Sequence, residues 1–298
     1  DFHNGMLNAA SQGYINIVEL MLENGANNFN TSMEEASKNG HMDIVKLMME
    51  NGAKEFDSIM EEAAYNGHMD IVQLMLEKGA RDFDSSMVYA AEGGYIDIVK
   101  LMIGKGATAL NEAMENALKK NHLDIFNLML AQGADDFQAA MKYAGYIGNM
   151  QIVQNMLSRG ADNYDETMVE AASGNQKHIV QLMLDKGAKN FNEVMKSAVY
   201  AGHLEMVRWM LDLGADDFND SLLVAVENGN IDIVKLLIDR GATNFTIETL
   251  NQSWNRLGNR INYYFLEDPY IIRNEKTQLE LKQKRKIHDN MVELLNYI

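Results

Sequence analysis

The sequence predicts an all-α solenoid of stacked helix-turn-helix repeats, and three observations support this class. A Gly-Ala dipeptide recurs every 27 residues from Gly25 to Gly241, without insertion or deletion. Each interval contains two short apolar patterns with helical spacing. The chain of 298 residues has one proline, so little interrupts its helices. These features predict nine units in residues 1–244, each a helix, a tight turn, a second helix and a short loop.

The first helix of each unit is short and ends at a recurrent glycine. In the second unit we expect Asn30 to cap this helix and Met33 to begin its apolar face. Gly40 then stops the helix, because glycine readily adopts the left-handed conformation. Two units have Asn121 and Asn175 at this position instead. Asparagine is the residue that next best tolerates positive φ, so we expect left-handed backbone there as well.

The second helix carries a stronger apolar pattern. In the second unit it contains Ile44, Val45 and Met48 and ends at Gly52. Neither helix is much longer than about ten residues, which is marginal for an isolated helix in water. We therefore expect neighbouring units to stack and to bury the faces of Met33 and Met48 against each other.

Methionine is concentrated at those two stacking positions. Sixteen of the 22 methionines lie in two rows, one from Met6 to Met195 and one from Met21 to Met210. A methionine-rich groove could bind peptides promiscuously. Their place on the stacking faces favours an adaptable core instead.

The repeated segments resemble a known family. "NGHMDIVKLMMENGA" resembles the second-helix signature of ankyrin repeats, and "MEEAAYNGH" is similar to the first helix of that family. The usual unit has about 33 residues and opens with a Thr-Pro-Leu-His pattern, whereas this one opens with "TSME" or "SIME" and has no room for a projecting β-hairpin. The resemblance implies a curved solenoid that binds proteins on a concave side lined by the first helices. Short arrays rich in Asn, Ile, Lys and Met also resemble those of large DNA viruses of amoebae.

The periodicity fails after Phe245. We interpret residues 245–298 as a degenerate helical capping unit, because the end of an array otherwise exposes its apolar face. The last twelve residues, "IHDNMVELLNYI", align with "GHMDIVKLMMEN", and this alignment places an insertion at 258–286. The chain opens inside the repeat pattern, so preceding repeats or a preceding domain are both open.

The composition excludes several functions. A net charge of -17 repels phosphate backbones, which disfavours nucleic acid as a partner. No stretch is apolar enough to cross a membrane. The absence of cysteine excludes disulfides and favours a cytoplasmic setting, the host cytoplasm if the protein is viral. The basic run Lys282 to Lys286 is interpreted as a solvated helix face, with nuclear import or contact with an anionic surface as alternatives.

No catalytic, cofactor or metal site is predicted. The sequence has no phosphate-binding loop, nucleophile elbow or zinc-protease motif. A recurrent histidine (His41, His68, His122 and His203) suggests metal, but equivalent helices should lie about 8–10 Å apart, too far to share one zinc ion. Adjacent carboxylates such as Glu61 and Glu62 do not converge on one point and are not an acid–base pair. We therefore expect that the protein is not an enzyme.

Two positions of the first helix vary from unit to unit and lie three residues apart, so they form one strip. Tyrosine recurs on this strip, and tyrosine is enriched at protein interfaces. The candidate partner-binding residues are Tyr65, Tyr89, Glu92, Lys119, Tyr143, Tyr146 and Tyr200.

These features favour a non-enzymatic scaffold that binds a protein partner through the first-helix face. One alternative is a structural component of a virion or other assembly, with contacts at its ends or its acidic outer face. The other is an adaptor that recruits host machinery through the 258–286 insertion or a preceding domain. The sequence identifies neither the partner nor the oligomeric state.

Overall fold

The computed structural model describes residues 2–242, and these residues fold entirely into helices, turns and short loops. The prediction of an all-α solenoid is confirmed, with no β-strand in the described part of the chain. The predicted capping unit, its insertion and the basic run lie outside the described residues. The chain divides into two compact units, Asp1–Ala140 and Met141–Ile298. From here on, the first unit and the second unit mean these two parts of the chain, and each 27-residue repeat is called a helix pair.

Eighteen helices follow one another in residues 2–242, in nine pairs of a first and a second helix. They are α1 Phe2–Gln12, α2 Ile15–Glu23, α3 Phe29–Lys38, α4 Met42–Glu50, α5 Phe56–Asn66, α6 Met69–Lys78, α7 Phe83–Gly93, α8 Ile96–Lys105, α9 Leu110–Lys119, α10 Leu123–Gln132, α11 Phe137–Ile147, α12 Met150–Ser158, α13 Tyr164–Ser173, α14 Lys177–Asp185, α15 Phe191–Ala201, α16 Leu204–Asp212, α17 Phe218–Glu227 and α18 Ile231–Asp239.

Within each unit, a first helix packs against the second helix of its own pair and against the first helices of the neighbouring pairs. In the first unit each first helix contacts its own second helix, and α1, α3, α5, α7 and α9 contact one another in succession. In the second unit α13, α15 and α17 form the same kind of row, and α16 contacts α18. This nearest-neighbour arrangement is the one that the short helices require.

The core is built from the two methionine rows, as predicted. Met33 and Met48 are fully buried, and so are their counterparts in both units, such as Met60, Met75 and Met195. Met21, in the first pair, is only half-buried. Met33 therefore belongs to a continuous apolar layer and not to an open groove.

The stop positions have the predicted left-handed backbone. Gly40 has φ of 78°, and among the described residues the non-glycine positions with positive φ are Asn121 at 64° and Asn175 at 58°. At Gly40 the glycine has a second role, because a Cβ there would lie 2.6 Å from Cε1 of His68 in the next pair. The ring thus packs directly on the glycine.

The recurrent histidines bind main-chain oxygen. Nε2 of His68 lies 3.1 Å from the carbonyl oxygen of Lys38, at the end of the preceding first helix. The rings of His41, His122 and His203 make the same contact with the residue 30 positions earlier. Each ring therefore ties its second helix to the preceding pair.

The prediction for Asn30 was wrong. The helix begins at Phe29 after Asn28, and the side chain of Asn28 makes no capping hydrogen bond to the helix. Asn30 instead lies in the first turn, where its Oδ1 accepts a hydrogen bond of 2.9 Å from the main-chain N–H of Lys54, in the loop before the next pair. Its role is to connect neighbouring pairs.

The same connection recurs along the chain, and we call it the staple row. Its members accept hydrogen bonds from main-chain N–H groups 24 residues ahead, and most of them accept from the next residue as well. The staple row consists of His3, Asn30, Asp57, Asp84, Asn111, Asp165 and Asn192. It satisfies loop N–H groups that would otherwise depend on water.

Candidate protein-binding surface

The predicted strip lies on the side of the first helices that the core leaves free. In α5 the residues Ile59, Met60, Ala63 and Ala64 are buried. Tyr65 follows them on the open side, with 38% of its surface exposed. This division of α5 into a buried face and an open face follows from helical geometry, since residues three and four apart share one face.

In the first unit the structure brings two of the predicted tyrosines together. The ring centroids of Tyr65 on α5 and Tyr89 on α7 are 6.4 Å apart, and the ring planes are nearly perpendicular at 87°. This edge-to-face arrangement is favourable for aromatic rings. Tyr89 remains 41% exposed, so the pair presents ring surface to solvent.

The predicted charged residues of this unit pair with neighbours that the sequence did not indicate. The carboxylate of Glu92 lies 3.2 Å from Nζ of Lys120, which belongs to the next pair. Lys119 instead contacts Glu115, one turn earlier on α9, at 2.6 Å. Glu92 is half-buried and Lys119 is exposed. Lys120 was missed because it lies one position outside the strip.

In the second unit the predicted tyrosines lie on two helices. Tyr143 and Tyr146 are both on α11, with ring centroids 6.2 Å apart and planes tilted by 42°. Tyr143 is half-buried, whereas Tyr146 is 45% exposed. Tyr200 on α15 is 73% exposed. Its exposure makes Tyr200 the most accessible residue of the predicted set.

Glycine allows close approach beside two of these tyrosines. Gly93, at the end of α7, packs against the main-chain carbonyl of Tyr65, and Gly174 packs in the same way against that of Tyr146. At the corresponding place in another pair, Asn228 donates a hydrogen bond of 3.4 Å to the carbonyl of Tyr200. The helix ends beside Tyr65 and Tyr146 therefore leave no space for a side chain.

Carboxylates that the sequence does not predict as binding residues lie on α3 and α5 of the first unit. Partial burial raises the pKa of Glu34, and repulsion from Glu62, Glu35 and Glu55 adds to this rise. Glu62 lies on α5 and Glu34 on α3, so the repulsion acts between packed helices. Periodicity alone did not reveal this because it depends on which side chains meet across neighbouring helix pairs.

Among residues 2–242, no group of three or more histidine and acidic side chains is arranged to hold a metal ion. In the same part of the chain no helix is both long and apolar enough to span a membrane.

Comparison with known proteins identifies the fold family. A family model described as ankyrin repeats, in three copies, matches residues 33–112, 59–139, 137–221 and 171–249. These ranges together cover more than half of the chain. A comparison with curated protein sequences finds no significant match. Ankyrin repeats are in general non-catalytic modules of protein–protein interaction. The helix pairs, their stacking and the matched ranges together show that the chain belongs to the ankyrin repeat family.

Proposed function

We propose that this chain is a non-enzymatic scaffold that binds a protein partner through the exposed face of its first helices. The observation that carries the proposal is the row of solvent-exposed tyrosines at positions that vary between otherwise similar pairs. Tyr65 and Tyr89 supply it in the first unit, and Tyr146 and Tyr200 supply it in the second.

Tyrosine suits this role for two physical reasons. Its ring offers a large, rigid contact area that loses little conformational entropy on binding, and its hydroxyl still bonds to water or to a partner. The Tyr65–Tyr89 contact adds to the stacking of α5 on α7, but the buried methionines and alanines supply most of that packing, and the ring surface left exposed adds nothing to it. The strip is therefore better explained by an interface than by the fold.

The test is a binding measurement with a partner captured from the native source and then purified. We expect Tyr143→Ala combined with Tyr146→Ala to weaken binding at least about tenfold, since such anchors typically cost about 2 kcal/mol or more on truncation. Because Tyr143 is half-buried, thermal unfolding must be measured alongside. Tyr146→Ala alone separates the interface effect from any loss of packing.

A matched control is available in Tyr14. This tyrosine is 57% exposed, precedes α2 and lies off the strip. Tyr14→Ala should leave affinity unchanged. If the double variant at 143 and 146 and the pair Tyr65→Ala with Tyr89→Ala both bind normally while folded, the interface is elsewhere.

A further inference from the structure

The first unit differs from the second in the charge of its binding face. At the strip and the position beside it, α3 and α5 carry Glu34, Glu35, Glu61 and Glu62. None of these four carboxylates forms an ion pair within residues 2–242. Glu61 and Glu62 lie on the same helix as Tyr65, which follows Glu61 by one helical turn, and Glu34 on α3 is close enough to Glu62 to be repelled by it. We define the acidic–tyrosine surface as Glu34, Glu35, Glu61, Glu62, Tyr65 and Tyr89.

Little positive charge compensates the repulsion that acts on this surface. Partial burial raises the pKa of Glu61, and Asp82, Asp57 and Glu62 raise it further, with no cation acting against them. At Glu34 only Lys38 opposes the rise, and its effect is the smallest. A negative field of this kind favours any partner that brings positive charge.

The second unit shows that this is not a general property of the repeats. The positions that correspond to Glu34 and Glu61 are occupied there by Lys142, Val169, Lys196 and Leu223, none of them acidic. Lys196 is already neutralised by Asp217, whose carboxylate lies 2.9 Å from its Nζ. The unpaired acidic face is therefore a local feature of the first unit.

We propose that the acidic–tyrosine surface binds a basic segment of a partner protein, with arginine side chains as its main contacts. This proposal rests on the proposed function, because it uses the same strip and adds the chemistry of the partner. The guanidinium group can stack on an exposed tyrosine ring while it donates two hydrogen bonds to a carboxylate. Tyr65 with Glu61 and Glu62 offers both kinds of contact on one helix face.

The test uses a short fluorescein-labelled peptide in which arginine alternates with alanine, and fluorescence anisotropy as the readout. Glu61→Gln combined with Glu62→Gln should weaken its binding by at least about tenfold, or roughly 1.4 kcal/mol. The matched control is Glu50→Gln combined with Glu77→Gln. These two glutamates are exposed on α4 and α6 of the same two pairs, so the control removes equal charge from second helices. It should change affinity less than about twofold.

Further probes separate specific recognition from plain charge attraction. Tyr65→Ala should weaken binding of the peptide, and Tyr65→Phe should restore it, because phenylalanine keeps the aromatic face. A lysine–alanine peptide of the same length should bind several times more weakly. Equal affinities for the lysine and arginine peptides would contradict the proposal, and so would equal losses of affinity in the Glu61→Gln/Glu62→Gln and Glu50→Gln/Glu77→Gln variants. It would also be contradicted if spermine displaced the labelled peptide as effectively as unlabelled arginine peptide does.

The two proposals fail in different ways. If the native partner loses affinity with the tyrosine variants but not with Glu61→Gln and Glu62→Gln, the scaffold function stands and the basic-segment proposal is wrong. If the tyrosine and glutamate variants of both units all leave the native partner bound, the proposed function is wrong as well.

Discussion

Gly93 packs against the main-chain carbonyl oxygen of Tyr65, so closely that a Cβ at residue 93 would overlap that oxygen. The contact joins the ends of α7 and α5, beside the Tyr65–Tyr89 pair. Because the obstructing atom is backbone, no side-chain rotation can relieve the overlap.

Gly93→Ala is therefore expected to destabilise the first unit by about 1–3 kcal/mol, the usual range for overpacking. Gly104→Ala is the control, since Gly104 lies in α8 with open space around its Cβ position. The control should be neutral or stabilising by up to about 1 kcal/mol, because alanine favours helix. Equal denaturant midpoints for the two variants would show that the close approach is not constraining.

The buried methionines provide a second prediction. Met48→Ala and Met75→Ala should each destabilise the protein by about 2–5 kcal/mol, because both side chains are fully buried and their removal leaves a cavity. Met49→Ala, at a half-buried position on the same helix as Met48, should cost less. Denaturant midpoints measure all three. Similar midpoints for Met48→Ala and Met49→Ala would contradict the assignment of the stacking face.

The staple row provides a third prediction, with a defined pH dependence. Hydrogen bonds from the main-chain N–H groups of Thr108 and Ala109 lower the pKa of Asp84. Asp84→Ala should cost about 1 kcal/mol, whereas Asp84→Asn should cost less, because asparagine keeps the acceptor and occupies this position in other pairs.

The sign follows from the lowered pKa of Asp84. The unfolded chain binds this proton more readily, so the carboxylate stabilises the fold above the unfolded-state pKa of about 3.9, and the contribution is lost as the pH falls further. The stability difference between wild type and Asp84→Ala should therefore shrink between about pH 5 and pH 2. A difference that stays constant over this range would mean that the carboxylate charge contributes nothing.

Glu61 provides the opposite case. Because its pKa is raised in the folded protein, the charged form costs stability at neutral pH, and this cost disappears when the group is protonated. Glu61→Gln should raise the melting temperature at pH 7 and have little effect near about pH 3, where the carboxyl is neutral in both states. Glu50→Gln is the control for charge removal. A lower melting temperature for Glu61→Gln at pH 7 would contradict the repulsion.

The part of the structure that could be predicted from the sequence is the part set by local rules. The apolar spacing around Met33 and Met48 determines which helix faces are buried. The left-handed backbone at Asn121 could be predicted because glycine occupies the same position in most of the other helix pairs. The wrong role for Asn30 shows where local rules stop. An asparagine beside a helix start resembles a cap, but its partner is the main chain of Lys54, which only stacking brings near.

The same limit applies to the candidate surface. Helical spacing could place Tyr65 and Tyr89 on one strip, because the spacing within each helix determines which face of that helix a residue occupies. It could not show that their rings touch, or that Glu34 repels Glu62, because those relations depend on how closely α3, α5 and α7 pack. The proposed binding of a basic segment rests on these contacts between helices.

The staple row also bears on how such a gene can change its length. Each staple and each histidine contact ends on a main-chain N–H or carbonyl group, which every residue except proline supplies in full. The sole proline, Pro269, lies beyond the repeats. A recombination event that adds or removes 27 residues within them leaves every such bond with a partner, wherever the crossover falls. These hydrogen bonds therefore allow the array to lengthen or shorten by whole repeats, whereas a change that is not a multiple of 27 residues shifts them out of register.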